Sequence, residues 1–220
     1  MMTLHGYWRS SASYRVRLAL GLKGIEVNHQ AVNLKSGAHL LDSHKALNMQ
    51  PFVPVLELED GTKLTQSLAI IDYLEEVYPE PALLPADPVL KAKVRAAAQI
   101  IAADIAPIQN LRVLKFIRAE HGQDDNGVKA WAAHWIEAGF KSLEALVQED
   151  SYSHIKQDKL GYFECCLIPQ IYNAFRFGVN MDVFPKLMGT YYAANQHPAF
   201  LNAAPENQHD APSEDDEVSL

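Results

Sequence analysis

The chain has 220 residues, 48% hydrophobic and 21% charged, with a formal net charge of -8. That length builds one large domain or two small ones, and either buries a substantial core. No basic stripe offers a nucleic-acid surface, and no run approaches the ~20 apolar residues of a membrane span. The start, MMTLHGYWRS, lacks the basic region and apolar core of a signal peptide, so the expected address is the cytosol.

In chain order, TLHGYW reads as a first strand. From Ser11 to Lys23 the positions of Tyr14, Val16, Ala19, Leu20 and Leu22 predict a helix, with Gly24 as its C-cap. The stretch IEVNHQAVNL alternates as a strand does, and a polar segment with weak helical character runs on to Asn48. Next, VPVLELE, the turn Asp60-Gly61 and TKLT form the clearest hairpin signal. Ser67 is expected to cap a helix with Ile70, Ile71, Leu74 and Val77 on one face.

The rhythm changes at YPEPALLPADP, a linker with four prolines, and no convincing strand follows. Leu90 to Ile117 reads as one helix bent at Pro107. In the next helix, Val128, Trp131, Trp135, Gly139, Leu143 and Leu146 recur as a core stripe. A third spans about Tyr162 to Phe177 with Pro169 inside, which predicts a kink, and FPKLMGTYYAANQ forms a fourth. From Glu206 onward there are six acids and no Lys or Arg; without them the net charge is -2, and this segment reads as disordered. The expected organisation is an α/β domain over 1–80, an all-helical domain over 86–205 and an acidic tail over 206–220. Cys165 and Cys166 are adjacent in an apolar run, and the absence of a CxxC excludes dithiol redox chemistry.

Three local features of the first domain converge. Val53-Pro54 opens the hairpin, where a cis bond would turn the N–H and C=O of Val53 outward to pair with an extended peptide. Gln66-Ser67 stands at a helix start suited to a carboxylate, and Ser10-Ser11 offers hydroxyls at another. Each has an ordinary reading as well: a turn proline and two helix caps. Together, in this order, they suit a thioredoxin-like domain that holds a short anionic peptide.

WRSSASYRVRLALGLKGI resembles the Arg-Ser-Ser-Cys-x-x-Arg-Val-Arg pattern of the zeta-class glutathione transferases, the family of maleylacetoacetate isomerase. QSLAIIDYLEEVYPEPALLP, AADIAPIQNLRVL and LIPQIYNAFRF follow at the expected distances, so the resemblance covers Thr3 to Pro205. It implies a glutathione transferase fold, glutathione as cofactor and a homodimer.

Carried over by residue, the resemblance has Ser10 donate to the glutathione sulfur, with Ser11 assisting. Val53, before Pro54, would pair with the cysteine of glutathione, and Gln66 and Ser67 would hold the γ-glutamyl carboxylate. Arg9 and Arg176 would receive the carboxylates of a small diacid substrate, for which a planar guanidinium is suited. Gln109 and Asn110 are further pocket candidates, and no metal is implied. The implied reaction is cis-trans isomerisation of maleylacetoacetate to fumarylacetoacetate, in tyrosine and phenylalanine catabolism, through reversible addition of the thiolate. Alternatives are a general transferase acting on electrophiles such as α-halo acids, a maleylpyruvate isomerase, and a non-catalytic binding protein.

Three positions depart from the family pattern. Ala12 replaces its cysteine, so no role needing that thiol exists here. Ala106 stands where some maleylpyruvate-acting relatives carry histidine. Gly161 and Glu164 occupy a Thr-x-x-Asp capping box, and the glycine brings no side-chain oxygen. Arg176 itself has two readings: a substrate clamp that waits unpaired, or an arginine whose stem covers apolar surface while its head pairs with an acid.

Overall fold

The computed structural model describes residues 1–149 and 160–212. Two compact units divide the chain. One comprises Met1–Leu83 and the described residues from His197 on, the other Leu84–Gln196.

The first unit is built on a four-stranded sheet of order β2-β1-β3-β4. β1 (Thr3–Gly6) runs parallel to β2 (Asn28–Ala31) and antiparallel to β3 (Val55–Glu57). β4 (Lys63–Thr65) closes the expected hairpin, with Gly61 at φ 83° in the turn, a conformation that favours glycine. β2 is a four-residue edge strand with every residue exposed, shorter than the alternating stretch that announced it. The polar segment after it forms a 3-10 turn at Ala38–Leu40 and a single turn, α2 (Asp42–Lys45).

α1 (Ser11–Lys23) packs against α3 (Ser67–Val77) and α9 (Pro198–Ala203). Val16, Leu18 and Ala19 are fully buried, and full burial of a leucine contributes roughly 1.5–3 kcal/mol. Enclosure on several sides explains how Arg15, Arg17 and Lys23 come to be buried on the same helix. Each has a partner: Lys23 meets Glu75 at 2.7 Å and the carbonyls of Tyr78 and Pro81 at 2.6 and 3.1 Å. Gly24 ends α1 in the left-handed conformation, as its position predicts.

The expected domain limits shift at the C-terminus. Residues 197–205 belong to the first unit, not to the helical one, because α9 lies on α1. The approach is close enough that a Cβ on Gly21 would meet the Cβ of Ala199 at 3.2 Å. The segment read as disordered from Glu206 also begins otherwise. Pro205–Asn207 form a 3-10 turn, and residues through Pro212 are placed; 213–220 lie outside the described residues. Hydrogen bonds back to α9 and to Trp8 supply what the composition lacks.

The second unit holds α4 (Pro88–Gln99), α5 (Leu111–His121), α6 (Asp125–Leu146), α7 (Tyr162–Arg176) and α8 (Pro185–Ala194). The single bent helix expected over 90–117 is three pieces. α4 passes into a π-helical turn at Ile100–Ile105, the chain breaks around Pro107, and Asn110 starts α5. Proline has no N–H to continue the ladder, and Asn110 offers its side-chain oxygen to Arg112 N–H at 3.2 Å as a new cap. Gly139 lets α6 approach the π turn, since a Cβ there would lie 2.3 Å from Ile105 Cδ1.

α7 is continuous through Pro169. At its start the N–H of Gly161 donates to Glu164 Oε2 at 2.9 Å, so the acid serves the helix end that glycine cannot. Burial pushes the Glu164 carboxyl up to about 7, against the pull of two backbone N–H donors, its own and that of Gly161. The polar stretch over 151–159 lies outside the described residues.

Candidate active site

The β1–α1 loop is held on every side. Ser10 N–H donates to Tyr7 O at 3.0 Å, and Tyr7 N–H reaches the buried hydroxyl of Ser13 at 3.4 Å. The Ser10 hydroxyl caps α1 by accepting from Ser13 N–H at 3.2 Å. That bond uses an oxygen lone pair and leaves the hydroxyl proton to be donated elsewhere. Ser11 is the first residue of the helix, and the Arg9 guanidinium lies 5.4 Å from the Trp8 ring centre. Of the cations gathered at this helix start, Arg17 is structural: it donates to Trp8 O at 3.0 Å and Ala203 O at 3.1 Å.

Val53 sits on the same apolar cluster as Tyr7 and Trp8, joined by Val32. The Val53-Pro54 bond is cis. Among the described residues neither the N–H nor the C=O of Val53 enters a hydrogen bond. Its position is fixed from the preceding residue, whose carbonyl accepts from His44 Nε2 and Asn48 Nδ2, both at 3.0 Å. Asn48 Oδ1 also accepts from Gln50 N–H, tightening the loop.

At the start of α3 the expected roles are exchanged. Gln66, not Ser67, is the N-cap, and neither side chain bonds the helix. Ser67 is buried inside the first turn, where its hydroxyl accepts from Arg15 Nη1 at 3.3 Å. Gln66 holds φ 67°, ψ 113°, a region that non-glycine residues avoid, at a cost of about 1–3 kcal/mol. Its amide donates to Gln50 Oε1 at 2.7 Å. The N–H groups of this helix start therefore have no side-chain cap, and a buried cation lies next to them. That arrangement suits a carboxylate.

The remaining candidates lie in the second unit. Gln109 is buried and donates to Gln170 Oε1 at 2.6 Å. Asn110 spends its side-chain oxygen capping α5, which weighs against a ligand role for that atom. Arg176 ends α7, donates to Asn173 Oδ1 at 3.2 Å and lies 5.2 Å from the Phe177 ring centre. The expectation that its guanidinium waits unpaired is therefore corrected: an uncharged amide one turn back holds it.

The glutathione S-transferase N-terminal domain family matches residues 4–82. A maleylacetoacetate isomerase of Pseudomonas aeruginosa is 42% identical over 214 residues, 96% of this chain and 100% of its own. Among solved structures, the holo form of a maleylpyruvate isomerase, a bacterial zeta-class glutathione S-transferase, aligns at TM-score 0.91 and 41% identity. It covers 96% of this chain and 100% of that one. This chain belongs to the zeta class of glutathione S-transferases. A maleylacetoacetate isomerase from Anaeromyxobacter dehalogenans, crystallised with glutathione in its active site, aligns at TM-score 0.84 and 38% identity over 96% of this chain and 98% of that one.

Family membership gives the first unit's features a common purpose. The sequence alone did not mark Arg15, His44, Asn48 or Gln50, which brace the residues it did mark. The burial of Arg15 is a property of the fold and left no mark in the sequence, and the loop residues carried none either.

Proposed function

We propose that this zeta-class transferase is a glutathione-dependent isomerase that converts maleylacetoacetate to fumarylacetoacetate. The observation that carries the reading is near-full-length likeness to maleylacetoacetate isomerases, together with an open backbone pair at Val53. The residues fit glutathione. Val53 offers a free N–H and C=O for its cysteinyl residue, and the start of α3 with Gln66 and Ser67 takes the γ-glutamyl carboxylate. Ser10 retains a proton to donate to the sulfur.

When bound, glutathione supplies the thiolate that adds to the cis double bond and departs after rotation. Ser10 holds that sulfur ionised, because a hydroxyl donor at a helix N-terminus favours the anion. Arg15 fixes the Ser67 hydroxyl and adds positive charge beneath the γ-glutamyl site. Arg9 and Arg176 take the substrate carboxylates and offset the charge that would develop on the substrate when a thiolate adds to it. Ala12 brings no nucleophile, and the reaction needs none from the chain. A cytosolic homodimer belongs to the same reading.

Activity with maleylacetoacetate, maleylpyruvate and an α-halo acid, each with glutathione, tests the proposal. Maleylacetoacetate should give the highest kcat/KM. A preference for the halo acid would make the chain a general transferase instead.

A further inference from the structure

The C-terminal segment after α9, which composition marks as unable to order itself, is tied to the loop that presents Arg9 and Ser10. Asp210 accepts the N–H of Trp8 at 3.0 Å, across 202 residues of sequence. On the other side of the same residue, Trp8 O accepts from Arg17, which also donates to Ala203 O at the end of α9. Both backbone groups of Trp8 are thus held through the C-terminal region.

The segment is itself anchored. Asn207 Nδ2 donates to Leu201 O at 2.7 Å, and Gln208 Nε2 donates to Asn202 O and Ala204 O, both at 2.9 Å. Ala211 packs on the cluster of Tyr7, Trp8, Val32 and Val53. One strap therefore touches the two places that matter for glutathione: the loop before Ser10 and the cluster that seats Val53.

We infer that residues 205–212 form a strap whose Asp210 is a positioning residue, fixing Trp8 and through it Arg9 and Ser10. A carboxylate accepting a backbone N–H is a charge-assisted bond, stronger than a neutral one. Trp8 precedes Arg9 directly, and the Arg9 guanidinium rests near the Trp8 ring, so displacement of Trp8 moves both neighbours. Small misplacements of reacting groups cost rate steeply. The inference rests on the glutathione-dependent reading above.

Two measurements on the full chain test it. Hydrogen exchange by NMR should find the Trp8 amide protected well beyond a free peptide, at least tenfold. Exchange at the free-peptide rate overturns the strap without any variant. In Asp210→Ala that amide should exchange faster and the thiol pKa of bound glutathione should rise. Its isomerase kcat/KM should fall on the order of tenfold with little change in Tm. Asp210→Asn keeps an acceptor oxygen and should restore most of the loss. Equal losses in both variants, or an alanine variant matching wild type in exchange and thiol pKa, overturns the inference. Should wild type fail to isomerise maleylacetoacetate, the reaction is misread, and amide exchange with the thiol titration still decides the strap.

Discussion

At the residue scale Ser10 has two tasks that one substitution separates. Its oxygen caps α1 and its proton is left for the sulfur. Ser10→Ala should cost roughly 1 kcal/mol of stability from the lost cap, and should also raise the thiol pKa of bound glutathione. Thiolate absorbance against pH, with a melting curve beside it, reads both. A stability loss with an unmoved thiol would leave Ser10 as a cap alone. Arg176 is tested by Arg176→Lys, which keeps the charge and loses the planar fork. Transition-state binding should drop by about 1.5–3 kcal/mol, ten- to a hundredfold in kcat/KM, while Tm and glutathione affinity hardly move. Unchanged turnover would remove Arg176 from the substrate site. Ser10, Val53 and Gln66 were legible because helix starts and X-Pro steps leave local marks. Asp210 and Arg15 were not, since their partners lie 202 and 52 residues away in sequence.

At the element scale α7 begins at Gly161, which brings no side-chain oxygen, and relies on Glu164. Burial raises the Glu164 carboxyl from the ordinary 4.5 to about 7. Between those values the folded chain keeps a proton that the unfolded chain has released. This contribution to stability is complete below about pH 4.5 and is lost as pH rises through 7. Its span is about 3 kcal/mol. Glu164→Gln keeps an acceptor for Gly161 and cannot ionise, so its Tm should fall less than wild type's between pH 5 and 8. Parallel curves would return the carboxyl to its ordinary value. The β3–β4 hairpin and the two caps of α1 were readable from sequence. The stripe expected on α6 was not: Trp131 is exposed, and Ala132, Ile136 and Phe140 are buried between Val128 and Leu143 instead. Pro107 marked the 90–117 stretch as bent, but the π turn at Ile100–Ile105 was not readable, because one extra residue in a turn leaves the run as apolar as before.

At the scale of the whole molecule the sequence divides by composition and the structure divides by contact. The proline-rich linker marks the first boundary well, since the first unit's opening segment ends at Leu83. The second boundary was missed because α9 and the strap return to the first unit from the far end of the chain, and return is invisible to a local reading. No helix among the described residues is long and apolar enough to cross a membrane. In the proposed reaction glutathione is a recycled nucleophile. Counting product formed per glutathione present, with maleylacetoacetate in large excess, tests it most directly. Many turnovers per glutathione are expected, with no reaction without it and all of it recovered as free thiol. Consumption of one glutathione per product, or isomerisation in its absence, would contradict it.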